Sequence, residues 1–544
     1  MKLGNWVYTA TFVLVFVAPG TESVALRSSL RGRTKDFFKI AQATETEGAA
    51  LLASTPPLGW NSWDGYGTTV NEKQVKSNAK WISQNLKQFG WQYVVVDMEW
   101  FVTNPIPEGN SKSFDYAIDA YGRYIPAPNR FPSSMGGKGF KPLADYTHSL
   151  GLKFGIHILR GIPKQAVERN LPIAGTKYRA TEAADNSDTC PWNFDNYGLN
   201  ANNSAGQAYY NSIAQLYASW GVDFIKVDCI SSHPYRGEEI RMVSDALQKT
   251  GRPIVLSLSP GAAPIEKLEE MREYAQMWRI SDDIWDIWHS EVPYPQGLGD
   301  QFSNTIRWAG LGQPGRWPDA DMLPLGYLGP SPGWGAPRQT RLSRDEQRTL
   351  ITLWCIFPSP LMIGGDLTMA DPWTVSLLTN PEVLSVDQHS RGNHPAIVTE
   401  TAVIWMAKPL KKKTDFVAVF NRSESLVPLQ YSWKDLGLSG VKYVVRDLWR
   451  RTDSEPQSAL NINLAAHASV LYELREASDG NGLHGIFGSA RFTDLWGQAF
   501  VQLFENLFRA SRSLHVAREP KHYPVHSAGN TLIGSRPTAL PWCP

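Results

Sequence analysis

The sequence predicts an α/β protein, a (β/α)8 TIM barrel followed by a C-terminal antiparallel β-sandwich. Between Pro57 and Gln388 short β-rich runs alternate with longer helix-compatible segments about eight times, the pattern of a closed barrel of parallel strands. Several of these runs are continuously apolar, as strands covered on both faces must be. From Ala396 to Leu474 strand follows strand with turns and no helix between them, which reads as a sandwich.

In chain order, residues 1–25 read as a secretory signal peptide. Lys2 precedes the apolar run Trp6–Ala18, too short to span a bilayer, and Ser23-Val24-Ala25 suits cleavage after Ala25. A secreted protein of an extracellular, cell-wall or vacuolar compartment is expected. Residues 26–54 are mixed and polar, a flexible lead-in. The barrel is expected over 55–390. Its strand candidates are Leu58–Trp63, Tyr93–Trp100, Lys153–Gly161, Phe224–Ile230, Pro253–Gly261, Met277–Ile284, Gly315–Leu323 and Pro358–Leu367. Glu72–Phe89, Ala205–Trp220 and Pro264–Tyr274 carry helical spacing between them. The sandwich is expected over 391–475, from AIVTETAVIWMAKPL, DFVAVFNRS, YVVRDLW and ASVLYEL. Residues 476–544, Gly-rich and then Pro- and His-containing, read as a flexible tail.

Composition excludes some partners. A net charge of +1 over 544 residues offers no basic stripe for nucleic acid, and Lys411, Lys412 and Lys413 read as a solvated hairpin tip. No stretch after the signal is apolar for long enough to cross a membrane. The 21 Trp and 20 Tyr agree with a sugar site, because apolar sugar faces stack on rings; they are equally core material. Cys190, Cys229, Cys355 and Cys543 show no CxxC spacing and no metal-type histidine cluster, so no metal site is expected. One or two disulfides fit an oxidising compartment. The sequons at Asn202 and Asn421 are glycosylation candidates.

In such a barrel the chemistry sits at the carboxyl ends of the strands. The polar residues ending the runs are Asp97 and Glu99, His157, Lys226 and Asp228, Arg279 with Asp282 and Asp283, and Asp319 and Asp321. All are expected at one mouth, with Trp60, Trp63 and Trp100. Two carboxylates across an aromatic pocket are the minimum equipment for glycoside hydrolysis, one attacking and one protonating the leaving oxygen. Lys226 shares a strand face with Asp228, and a nearby cation keeps a nucleophilic carboxylate ionised. Strand alternation places Arg279, Ser281 and Asp283 on one face and Asp282 on the other. Only Asp283 of that pair is expected to see the pocket.

From Pro57 to Leu474 the chain resembles glycoside hydrolase family 27, the α-galactosidase (melibiase) family. PPLGWNSWDGYG is similar to its opening motif, YVVVDMEW to its second strand, DFIKVDC to its nucleophile strand and MWRISDDI to its acid/base strand. GRWPDADML and SPLMIGGDL resemble the motifs of the last two strands, and VAVFNRS and RDLW those of its sandwich. The resemblance implies a retaining exo-glycosidase, without cofactor, acting on terminal α-D-galactosyl residues. Asp228 matches the nucleophile and Asp283 the acid/base. Trp63, Asp97, Lys226 and Arg279 match sugar-site residues, and Cys190 and Cys229 match a family disulfide.

Three departures bear on the substrate. The usual second aspartate of the second strand is Met98, the tyrosine after the third strand is His157, and Cys-Glu-Trp at the fifth is Ser259-Pro260-Gly261. A family branch with such changes acts on β-L-arabinopyranosides, which resemble α-galactosides without the C6 hydroxymethyl. A buried hydroxyl without a partner costs roughly 1–3 kcal/mol, so losing the partner of O6 tilts the site toward the pentose. The partner expected is therefore a carbohydrate ending in galactose or arabinopyranose. A rival of another class, an inactive sugar-binding protein, would lack one catalytic aspartate, and both are present. Gly329-Pro330-Ser331-Pro332-Gly333 formally fits a serine-hydrolase elbow, but its prolines preclude the required strand–turn–helix. Met135-Gly136-Gly137-Lys138-Gly139 lacks phosphate-loop spacing.

Overall fold

The computed structural model describes residues 51–106, 114–329 and 335–477. The signal peptide, most of the lead-in, the tail after Ala477 and Ser331 lie outside the described residues.

Eight parallel strands form the barrel: β1 (Leu58–Asn61), β2 (Tyr93–Val96), β3 (Lys153–Leu159), β4 (Phe224–Asp228), β5 (Val255–Leu258), β6 (Met277–Arg279), β7 (Trp317–Asp319) and β8 (Leu361–Ile363). Their order is β7-β6-β5-β4-β3-β2-β1-β8, and the parallel bridge Leu323↔Ile363 closes the ring between β7 and β8. Each is shorter than the run that predicted it, because the last residues of the run leave the ladder: His157, Lys226, Asp228, Arg279 and Asp319 stay paired, and Asp97, Asp283 and Asp321 lie just beyond. Every residue of β1, β2 and β5 is buried, as continuous apolar runs demand. Gly59 is required where β1 and β2 touch: a Cβ there would lie 2.6 Å from the Tyr93 Cβ.

The helices covering the sheet include α1 (Glu72–Asn85), α2 (Lys141–Ser149), α3 (Ser204–Trp220), α4 (Gly237–Lys249), α5 (Leu268–Tyr274), α6 (Gln301–Arg307), α7 (Arg344–Ile356) and α8 (Pro381–His389). Local chemistry sets their ends. Asn71 with Gln74 and Ser343 with Glu346 form capping boxes on α1 and α7. Asn203 caps α3, which stops at left-handed Gly221.

The lead-in does not remain free to its end. Leu52 and Ala53 pack on an apolar cluster of Tyr93, Phe224, Val255, Met277 and Met362 from the barrel strands. The Ala53 carbonyl accepts from Trp317 Nε1 at 2.7 Å and from the Gly315 amide at 2.9 Å. The apolar run at 49–53 is too short to show a strand or helix period, so the sequence hid this plug.

The second domain has β9 (Ser390–Val398), β10 (Ala402–Pro409), β11 (Asp415–Asn421), β12 (Val427–Ser432), β13 (Tyr443–Asp447), β14 (Thr452–Asp453), β15 (Ala459–Leu464) and β16 (Ser469–Glu476). One antiparallel sheet runs β9-β10-β11-β16-β13-β14 and the other pairs β12 with β15. Ile404, Val417, Val419, Leu429, Leu460 and Leu474 fill the space between them. Trp405, Phe416, Phe420 and Leu471 join the barrel core instead, so one sheet has an apolar face on each side.

Candidate active site at the carboxyl ends of the barrel strands

Asp97 directly follows β2, fully buried, and its Oδ2 accepts from Asn61 Nδ2 at 2.7 Å and from Lys226 Nζ at 3.1 Å. Burial alone would raise this carboxyl. The Lys226 ammonium, His157, the Met98 amide and Asn61 outweigh it and bring the pKa down to about 2. Lys226 on β4 loses by burial but gains more from Asp97 and Asp228, so its pKa is raised and it stays a cation.

Asp228 closes β4. Its Oδ2 lies 3.2 Å from His157 Nε2, and its Oδ1 accepts from the Cys229 amide. Burial works against its charge, but the His157 contact and the Lys226 charge hold its carboxyl below the usual range. The expected cation is present, although its hydrogen bond goes to Asp97; the group touching Asp228 is His157, which is buried on the adjacent strand. Cys190 and Cys229 are joined in the implied disulfide, which ties the loop after β3 to the nucleophile strand.

Across the mouth, Arg279 on β6 is buried and donates through Nη2 to Asp283 Oδ1 at 3.2 Å and to the Ser281 carbonyl at 3.0 Å. Its Nη1 pairs with Asp321 Oδ1 at 2.8 Å. Asp321 Oδ2 accepts from the Ile284 amide at 2.8 Å, clamping the backbone beside Asp283. The other oxygen of Asp283 accepts from Tyr294 Oη at 3.2 Å. The Asp283 side chain is 32% exposed, against 15% for Asp228, so it is the carboxyl that faces the opening.

The mouth holds more carboxyls than cations. Asp64, Asp97, Asp228, Asp283, Asp319 and Asp321 interact electrostatically with Lys226 and Arg279. They cannot all be anions in a dry site. Burial, with neighbouring carboxylates, pushes Asp64 and Asp321 up, and burial pushes Asp319 up. Asp97 and Asp228, each beside a cation or an imidazole, are the ones held down.

Some expected mouth residues lie elsewhere. Trp60 and Trp100 are wholly buried, with indole N–H groups donating to the Gly365 and His157 carbonyls at 2.8 and 2.7 Å; Trp100 packs among Phe101, Phe140, Tyr217 and Trp220. They are core. Trp63 is half-buried next to Asn61, whose Oδ1 accepts its amide at 2.9 Å, and Met98 is half-buried beside Asp97. Glu99 faces away from Asp97, bonded by Asn193 at 3.3 Å, so it does not replace the missing acid. Asp282 pairs with His233 at 2.9 Å on the rim, away from Arg279 as alternation required. Ser259 is buried, its backbone tied to Val227 and Ile230 of the nucleophile segment. A Cβ on Gly261 would lie 2.0 Å from the Ser281 carbonyl oxygen, so the Ser259-Pro260-Gly261 turn lies against the acid/base segment.

Of the sequons, Asn202 is exposed before α3. Asn421 is wholly buried, and its Nδ2 donates to the carbonyls of Ser425, Leu464 and Ala465 at 2.7, 3.1 and 2.8 Å. It is a structural amide and not a glycan site. Sequence reading missed Asp64 and Tyr294. Asp64 follows Trp63 inside a recognised motif, a signal that was there to use. Tyr294 sits 11 residues after Asp283 in a loop without periodicity, which gave none.

A buried, ionised carboxylate opposite a rim carboxyl held by an arginine, at the carboxyl end of a (β/α)8 barrel, is the equipment of a glycoside hydrolase. Residues 196–389 match the family model described as alpha galactosidase A, and 399–474 that of the alpha galactosidase C-terminal beta sandwich domain. The chain is similar to the α-galactosidase of Cyamopsis tetragonoloba, 30% identical over 78% of this chain and 88% of the relative. Among solved structures it is similar to a GH27 β-L-arabinopyranosidase from Geobacillus stearothermophilus, 48% identical with a TM-score of 0.75, over 79% of this chain and 98% of the other. A variant of that enzyme in complex with arabinose matches at the same identity and TM-score, over 78% and 98%. The chain belongs to glycoside hydrolase family 27, the α-galactosidase family, and is an enzyme that hydrolyses O-glycosyl bonds.

Proposed function

We propose that the enzyme removes terminal α-D-galactosyl residues from glycans by double displacement, in a pocket that also takes β-L-arabinopyranosyl residues. The observation that carries this reading is the unequal pair. Asp228 is held as an anion at the pocket floor by His157 and Lys226, and Asp283 stands at the rim in the grip of Arg279. In the first step an Asp228 oxygen attacks the anomeric carbon, the bond to the leaving oxygen breaks, and the Asp283 proton passes to that oxygen. In the second, water attacks the same carbon, gives a proton to Asp283, and the bond to Asp228 breaks. Asp97 and Lys226, locked together at 3.1 Å, offer an acceptor and donors to sugar hydroxyls.

One observation favours the pentose as the better substrate. Met98, half-buried beside Asp97, offers no hydrogen bond to a C6 hydroxyl, which arabinopyranose lacks. The greater identity to a relative named for that activity, 48% against 30%, points the same way. Rates on p-nitrophenyl α-D-galactoside and p-nitrophenyl β-L-arabinopyranoside test both readings. Both substrates should turn over, with kcat/KM at least as high for the pentoside; no turnover of either overturns the proposal. Met98→Asp should shift the ratio toward galactoside by roughly tenfold, the worth of one restored buried hydrogen bond. An unchanged ratio removes Met98 as the discriminator.

A further inference from the structure

We propose that Tyr294 is a positioning residue for the acid/base: its phenol holds Asp283 from the side on which the leaving group departs. This rests on the assignment of Asp283 above. The two oxygens of Asp283 have donors of opposite character. Oδ1 meets Arg279, which is 2% exposed and fixed by Ser281 and Asp321. Oδ2 meets Tyr294, which is 49% exposed. Only the oxygen on the open side can pass a proton to a departing glycan, and that is Oδ2.

Backbone pairing fixes Tyr294 there. The Gln296 amide donates to the Asp283 carbonyl at 3.0 Å, and the Trp285 amide donates to the Gln296 carbonyl at 3.0 Å. The chain leaves Asp283, runs out through Trp288 and returns to lie beside its own start, with Tyr294 two residues before the contact. Gly297 permits this close return, since a Cβ on it would lie 2.5 Å from the Trp288 carbonyl oxygen.

A phenol both donates and accepts, so it can follow Asp283 through the cycle. When Asp283 is protonated, the phenol oxygen accepts that proton's hydrogen bond until the glycosidic oxygen takes its place. When Asp283 is an anion in the glycosyl-enzyme, the phenol donates to it while water approaches. The charged and titratable groups around this pair are Arg279 on β6, Asp319 at the end of β7 and Asp321 beyond it, Lys226 on β4 and Asp64 after β1. None of them reaches Oδ2 from the open side.

The experiment is the pH dependence of Tyr294→Phe, which keeps the ring and removes the hydroxyl, in the full-length enzyme. Losing a donor to the carboxylate form should move the basic limb of kcat/KM on a p-nitrophenyl glycoside upward by about half a pH unit to one unit. On a dinitrophenyl glycoside, where departure needs no proton, kcat at acidic pH should fall roughly three- to tenfold, with KM falling alongside as the intermediate accumulates. Wild-type limbs and wild-type kcat in Tyr294→Phe overturn the inference. So does a shift seen in Tyr294→Ala but not in Tyr294→Phe, which would make the ring and not the hydroxyl responsible. Asp283→Ala on the same two substrates separates the failures. If it slows both equally, the acid/base assignment itself is wrong. If it spares the dinitrophenyl substrate's first step while Tyr294→Phe behaves as wild type, only the role of Tyr294 falls.

Discussion

At the scale of residues, the catalytic division of labour follows from what each carboxyl touches. Asp228 is within 3.2 Å of His157 and in the field of Lys226, so it stays charged in a buried place where an isolated carboxylate would take up a proton. Asp228→Ala should abolish turnover on every substrate with little effect on the thermal midpoint, because the buried Lys226 keeps its bond to Asp97. Near-normal hydrolysis would sink the nucleophile assignment. Asp283→Ala should cost roughly 10²–10⁴-fold on alkyl or sugar leaving groups and far less in the first step on dinitrophenolate, which leaves without a proton. Single-turnover release of the phenol reads that step directly, and equal losses on both substrates would exclude an acid role.

At the scale of elements, the eight barrel strands were legible because strands buried on both faces are built mainly from apolar residues, and VVV at 94–96 or LMI at 361–363 show it. The strand ends were read too long for the same reason that the site exists: Asp97, Asp283 and Asp321 lie just beyond the ladders, where their side chains take up Asn61, Lys226 and Arg279 from the barrel strands. Alternation told faces correctly for Asp283 and Asp282 but said nothing of depth, which is why Trp60 and Trp100 were expected at the mouth and lie in the core. Tyr294 was illegible because its place depends on Gln296 pairing with Asp283, a contact that no local pattern encodes. The Asn421 sequon failed similarly, since three letters carry no burial. Asn421 ends β11 and joins it to the turns at Ser425 and Leu464–Ala465. Asn421→Ala would take the donor from three turn carbonyls, that of Leu464 buried, and should cost about 1–3 kcal/mol, measurable by urea unfolding. Asn421→Ala made in a secreting host should leave the glycoform mass unchanged; loss of a glycan would reverse the structural reading.

At the scale of the whole molecule, the sandwich reaches the catalytic loop. His467, at the turn between β15 and β16, stacks on Trp288 with centroids 3.7 Å apart and planes 12° from parallel. Its Nδ1 lies 2.8 Å from Glu346 at the start of α7, and its Nε2 lies 3.0 Å from Glu424 of the β11–β12 turn. Trp288 belongs to the same loop as Asp283 and Tyr294, and the Gly297–Gly299 backbone packs directly on it. The second domain therefore supports the outer wall of the acid/base loop, while Phe302 against Phe420 and Trp449 against Thr352 hold the two domains in one core. His467→Ala should lose the ring stack and the Glu346 bond, about 1–2 kcal/mol together, and should lower kcat/KM roughly three- to tenfold because a displaced loop misplaces the proton donor. Glu424→Ala is the control. That carboxylate is 82% exposed, and its removal should change stability by less than about 1 kcal/mol and leave kcat/KM alone. If His467→Ala loses stability with full activity, the loop holds its shape without the sandwich, and the second domain serves the barrel as a whole rather than its acid/base.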